Sequence, residues 1–175
     1  MKLILEITKP ENADLQILKR NRTHPEIGDI FEFKLLNGME FHGVVLNANI
    51  KNSQGEGKIV IAALKNKIEF EKEEKILLNE SMLLMIFPYA DRWFWTSGRF
   101  RPVGKLEIDD FVKTLDYGFL YSGYYLDTVA CFVDEYDQRM DHIPKFYAGR
   151  GIVSSIGIGR GIVRELYFKG EFPRK

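Results

Sequence analysis

Residues 27–48, IGDIFEFKLLNGMEFHGVVLNA, decide the fold class. Phe31, Phe33 and Leu35 alternate along a first arm, and Met39, Phe41, Gly43 and Val45 along a second. Alternation with period two is the mark of a half-buried strand. Two turns compete to join the arms. A two-residue Asn37-Gly38 turn sets Phe33 opposite His42 and mixes apolar with polar positions. A three-residue loop, Leu36-Asn37-Gly38, pairs Leu35 with Met39 and Phe33 with Phe41, and puts Gly38 where a left-handed backbone is required. Register follows the hydrophobic pattern, so the second arrangement is expected.

Further strands flank this hairpin. Residues 3–8 (LILEIT) read as a first strand, followed by a polar stretch from Pro10 to Pro25 in which Leu15, Ile17 and Leu18 anchor a turn of helix. Gly55 and Gly57 mark a loop before a strand at 58–64 (KIVIAAL), and 69–75 (EFEKEEK) is a solvated connection. The apolar run 81–89 (SMLLMIFPY) predicts a central strand buried on both faces. Residues 107–115 (EIDDFVKTL) space Ile108, Phe111, Val112 and Leu115 as one helix face, with acids in the first turn where the helix dipole favours them. Residues 127–135 predict another strand, and the glycines near 157–161 a turn before 162–168. The expected fold is α+β and mostly β: an antiparallel twisted sheet or partly open barrel with one or two short helices. A single globular domain over residues 1–175 suits the length.

The chain carries 25 Lys+Arg against 25 Asp+Glu. A balanced total argues against a general polyanion binder, so nucleic acid is not the expected partner. By segment the balance dissolves: residues 1–106 carry +2, residues 107–141 carry −7 and residues 142–175 carry +5. Either the last two segments neutralise each other within the fold, or the acidic one faces a partner. Cys131 is the lone cysteine, so neither an intramolecular disulfide nor a cysteine zinc site is available. Its apolar neighbours point to an inert buried thiol. The opening residues lack the pattern of a signal peptide and no run is long enough to span a membrane, which places the chain in the cytoplasm.

Motifs for catalysis are sparse. Gly157, Gly159 and Gly161 miss the dinucleotide fingerprint, whose third glycine falls at Ile162. His24, His42 and His142 lie far apart, in no metal-binding spacing. On the expected register, His42 is a solvent-side or satisfied polar group. His142 beside Asp141 makes an acid–base pair with no nucleophile nearby. The Glu73-Glu74-Lys75 tripeptide is the minimal piece of a metal-dependent nuclease, set in a solvated run. No cofactor is called for. Arg92-Trp93-Phe94-Trp95, followed by Arg99-Phe100-Arg101, interleaves cations with aromatics. Such a string fills a sheet interior, makes an interface hot spot, or stacks on bases.

Residues 27–33 (IGDIFEF), the Asn37-Gly38 turn and residues 41–46 (FHGVVL) together resemble the opening of the immunity protein 26 family of bacterial polymorphic-toxin and contact-dependent inhibition systems. Residues 93–104 (WFWTSGRFRPVG) resemble that family's glycine–aromatic segment ahead of an acidic helix. The likeness covers about residues 26–113, with Val44 where an arginine is usual, and residues 116–175 form a divergent extension. It implies a non-enzymatic protein that binds a cognate toxin domain, often a nuclease, and covers its active site or substrate groove. The acidic segment is then the expected docking face: Asp109, Asp110, Asp134, Glu135, Asp137 and Asp141, with Tyr124, Tyr125 and Tyr136 as aromatic anchors. Arg92, Trp93, Trp95 and Arg99 are secondary candidates. Two alternatives stay open: an SH3-like nucleic-acid or regulatory module, and a hydrolytic or metal-dependent enzyme using acids with His142.

Overall fold

The computed structural model describes residues 8–22, 24–70, 76–122 and 130–170. The hairpin closes in the register set by its apolar alternation. β1 (Asp29–Lys34) and β2 (Glu40–Asn52) run antiparallel, with Phe33 opposite Phe41 and Lys34 opposite Glu40. Gly38 takes a φ of 92°, and its N–H donates to the Leu35 carbonyl. A Cβ would strain that backbone, which is why glycine stands there.

Around this hairpin the chain adds β3 (Gly55–Leu64), β4 (Leu83–Ile86) and β5 (Arg101–Lys105), giving an open antiparallel sheet of order β4-β3-β2-β1-β5. A second sheet holds β6 (Tyr117–Tyr121), β7 (Cys131–Val133) and β8 (Phe146–Gly149), in the order β7-β6-β8. β6 and β8 are parallel, a departure from the antiparallel expectation. The helices are α1 (Pro10–Ala13), α2 (Trp93–Thr96), α3 (Asp109–Thr114) and α4 (Ser155–Phe168). The fold is thus α+β and mostly β, and neither sheet closes into a barrel.

The large sheet is covered on both faces. One face packs Phe31, Phe33, Val45, Ile61, Trp95 and Phe100 against Ile158, Ile162 and Val163 of α4. The other packs Ile30, Val44, Leu46, Val60 and Ala62 against Tyr117, Phe119 and Val133 of the second sheet, and against Ile108 and Leu115 flanking α3. This double covering explains why β2 and β3 carry continuous apolar runs instead of alternation. Aromatic stacking concentrates on Phe100, whose ring lies 4.2 Å from Phe31 and 4.7 Å from Phe94. A fully buried Phe of this kind contributes about 2–3 kcal/mol through removal of apolar surface from water.

Several expectations give way. The run at 81–89 supplies β4, an edge strand; it is buried because α4 and the second sheet cover it, not because strands flank it. Gly55 and Gly57 lie inside β3, with the turn earlier at Ser53-Gln54. The helical turn of the N-terminal stretch is α1, whereas Leu15 bridges to Leu35 in extended backbone. Gly157, Gly159 and Gly161 are not a turn but the interior of α4, capped by the Ser154 hydroxyl accepting from the Gly157 N–H at 3.1 Å. Close packing selects glycine at position 159, where a Cβ would stand 1.6 Å from the Ala13 carbonyl oxygen. Cys131 is half-buried and not enclosed. The strand expected at residues 3–8 lies outside the described residues except for its last, Thr8, which is in a turn. The Glu73-Glu74-Lys75 tripeptide and residues 127–129 also lie outside them.

Candidate functional site

The acidic segment is divided between internal fastening and open surface. Val133 ends β7, and the chain turns at Asp134, whose Oδ1 accepts from the N–H groups of Tyr136 at 2.9 Å and Gln138 at 2.8 Å. That turn carries Glu135, Tyr136 and Asp137 onto the far end of β2. Asn47 Nδ2 donates to Glu135 Oε1 at 3.0 Å and to the Tyr136 hydroxyl at 3.3 Å. Asp137 grips Arg150 through two bonds, 2.6 Å to Nε and 2.8 Å to Nη2, and accepts from the Ser53 N–H and hydroxyl. The Arg150 hydrogen bonds, reinforced by Ser53, hold the Asp137 carboxyl down to about 2. Beneath the turn, burial pushes the Tyr89 and Tyr117 phenols up, so both stay protonated. Asp134 and Asp137 thus fasten the turn, and the Tyr136 beside them is 51% exposed.

A second constraint falls on His142. Its Nε2 lies 2.9 Å from Asp116 Oδ1 and its Nδ1 3.0 Å from Asp141 Oδ1. These two carboxylates push the imidazole up from its ordinary value, Asp116 first. Both ring nitrogens thus lie within hydrogen-bond distance of a carboxylate. Asp116 also accepts from the Lys145 N–H at 2.9 Å. The −7 and +5 segments thus neutralise each other in part, through Asp137 with Arg150 and Asp116 with His142. Among the described residues no cluster of three or more His, Cys, Asp or Glu side chains is arranged to hold a metal.

What stays open is α3 and the hollow beside it. An open concavity of about 550 Å³ is lined by Glu26, Ile27, Ala48, Asn49 and residues 105–109. Asp109 and Asp110 are exposed on α3, and the Asp110 carboxylate pairs with Lys113 at 3.1 Å. Lys105 is the one cation of the lining, and Glu26 pairs with it, lowering the Glu26 carboxyl through that hydrogen bond. The rim carries Glu26, Glu107 and Asp109. Asn49 takes a left-handed φ of 57°, in a stretch of β2 whose pairing with β3 is irregular. Asn47 touches the Glu135–Tyr136 turn, and Ala48 and Asn49 line the hollow, so consecutive residues of β2 join the two acidic regions.

Sequence reasoning named Asp109, Asp110, Glu135 and Tyr136 on this surface and missed Glu26, Asn47 and Asn49, which lie far away in the chain. The end of the apolar run of β2 at Asn47-Ala48-Asn49 is the signal that the sequence carries. Tyr124 and Tyr125 lie outside the described residues. Asp141 is exposed but bound to His142.

The aromatic string folds as a helical turn, so Trp93 and Trp95 point apart. Trp95 is 1% exposed in the core, and Trp93 is 47% exposed. Arg99 sits 4.4 Å above the Trp93 ring, and Arg92 Nη2 donates to the Arg22 carbonyl. Arg101 is withdrawn into a pair with Glu32 on the sheet. No family model, curated protein or solved structure matches the chain. Among the described residues no helix is long and apolar enough to cross a membrane.

Proposed function

We propose that this chain is an immunity protein that binds a cognate toxin domain, a nuclease, in the cytoplasm of the cell that makes it. It blocks that domain by covering its substrate groove and performs no chemistry itself. The observation that carries the reading is the acid-rimmed hollow of Glu26, Glu107 and Asp109, continued through α3 and, across Asn47–Asn49, to Tyr136. A nuclease groove is lined with cations that await phosphates. Carboxylates on that rim take the place of those phosphates, and Glu26 offsets the charge of Lys105 in the lining. Tyr136 supplies an amphipathic contact at one edge. The folding residues of the family-like segment serve the fold: Gly28, Asp29 and Gly38 build turns, and Phe31, Phe33 and Phe41 fill the core.

The test is binding to the domain encoded immediately upstream of this chain's gene, measured by calorimetry alongside that domain's nuclease activity. Stoichiometric binding with loss of activity is expected. The double variant Asp109→Lys/Asp110→Lys weakens binding by at least about tenfold and flattens its salt dependence. Full binding by the double variant, or no binding by the wild type, overturns the reading.

A further inference from the structure

A second charged surface lies elsewhere, built from two segments that the sequence keeps apart. Residues 18–22 thread along the end of α2. The N–H groups of Leu18 and Lys19 donate to the Gly98 carbonyl at 2.7 and 3.2 Å, and that of Asn21 to the Trp95 carbonyl at 3.0 Å. Arg92 closes the contact through the Arg22 carbonyl. Lys19, Arg20 and Arg22, all exposed, thus lie on a segment hydrogen-bonded to the end of α2, which follows Arg92 and carries the half-exposed Trp93 with Arg99 over its ring. Among the described residues none of these five cations is in an ion pair, whereas Lys34, Lys67, Arg101, Lys105, Lys145 and Arg150 all are. The nearby carboxylate Asp91 accepts from the Trp93 N–H at 2.7 Å. The Nε atoms of Arg92 and Arg99 are buried with no hydrogen-bond partner.

We propose that this surface binds single-stranded nucleic acid, with Trp93 as a platform for one base and Lys19, Arg20, Arg22, Arg92 and Arg99 on the phosphates. Cations without an ion pair among the described residues attract any polyanion, but the half-exposed indole of Trp93 in the same region favours a strand whose bases can stack. A duplex hides its bases, and the carboxylate side chains of an acidic peptide have no ring to stack. The balanced total charge excluded a general polyanion binder, and this patch does not contradict that: the fold gathers cations locally while the acids of α3 lie elsewhere. The site shares no residue with the acid-rimmed hollow and stands or falls independently of it.

Fluorescence anisotropy with a labelled thymidine or uridine oligonucleotide of about twelve nucleotides tests the proposal, within the span such surfaces cover. With five phosphates engaged, affinity falls about fiftyfold between roughly 50 and 150 mM salt. Trp93→Ala weakens binding by about five- to a hundredfold with little change in that salt slope, and Trp93→Phe recovers part of it. Arg20→Glu/Arg22→Glu reduces both affinity and slope. These three side chains are exposed or half-exposed, and circular dichroism confirms that the variants fold. The Asp109→Lys/Asp110→Lys variant gives no loss of oligonucleotide binding. Absence of binding at low salt overturns the proposal. So does equal binding of a polyglutamate peptide or anionic phospholipid vesicles with no effect of Trp93→Ala, which makes the patch a general anion surface.

Discussion

Replacing Asp137 by Asn separates charge from shape at the contact that fastens the turn after β7 to the β2–β3 connection. The Asp137–Arg150 pair is bidentate, with side chains 20% and 11% exposed. Asp137 has a φ of 67°, a conformation Asn tolerates as Asp does, so the substitution leaves the backbone unstrained. The carboxyl lies at about 2 instead of its ordinary 3.8, chiefly through the Arg150 hydrogen bonds. A depression of that size corresponds to about 2 kcal/mol of folding stability at neutral pH. Because the folded value lies below the unfolded one, this stabilisation is complete above pH 3.8 and disappears as the pH falls through about 2. Urea denaturation of Asp137→Asn at about pH 7 is expected to show a loss of roughly 2–3 kcal/mol, the upper end reflecting the unpaired Arg150. The difference from wild type closes near pH 2. Asp137→Ala loses about 1 kcal/mol more, because alanine pays for the left-handed backbone. Wild-type stability at neutral pH in Asp137→Asn would refute the reasoning, as would a difference that persists undiminished at low pH.

Other consequences are as direct. Burial holds His42 below its ordinary 6.5, and its Nδ1 accepts from the Ile68 N–H at 2.9 Å. The unfolded chain therefore protonates first, and stability falls as the pH drops below 6.5. His42→Asn keeps an acceptor near that position and abolishes the slope in pH-dependent urea titrations; a slope unchanged by the substitution counts against the buried neutral imidazole. The comparison is cleanest in His142→Asn, because the raised His142 has the opposite sign, stabilising below 6.5 and losing that contribution as the pH rises through its raised value. Gly159→Ala is expected to lower stability by about 2 kcal/mol in thermal melts, although alanine is the better helix former, since its methyl meets the Ala13 carbonyl. An unchanged melting temperature shows that α1 and α4 separate at little cost. Gly28→Ala combines a φ of 86° with a Cβ 2.1 Å from the Leu106 carbonyl oxygen and is expected to lose about 3 kcal/mol by the same measurement. Wild-type melting there contradicts the close approach.

Local chemistry was legible in the sequence and coverage was not. The β1–β2 register followed from Phe33 and Phe41, because a slip by one residue reverses every side chain. The α3 helix followed from the spacing of Ile108, Val112 and Leu115. The run at 81–89 identified burial correctly and the position in the sheet wrongly, since continuous apolarity reports two covered faces whatever covers them. Gly157, Gly159 and Gly161 signalled a turn because glycine disfavours helices; the Ala13 carbonyl that demands Gly159 lies at the other end of the chain. The candidate site suffered the same limit. In the sequence Asp137 reads as a docking acid, whereas in the fold Arg150 and Ser53 hold its carboxylate; nothing in residues 19–22 points to Gly98 and Trp95, whose carbonyls accept from the Lys19 and Asn21 N–H groups.

The contact of α1 with α4 ties together segments made at very different times during synthesis. On the ribosome, the face of the large sheet that carries Phe31, Phe33 and Val45 waits for Ile158, Ile162 and Val163 to emerge. Until then, among the described residues before α4, the aromatic cluster packs against Leu15, Phe87, Ala90 and the residues of α2. Nascent chains halted before residue 155 consequently present a greasy, half-covered sheet, the kind of surface that chaperones grip and proteases cut. Completing α4 covers that face in one step.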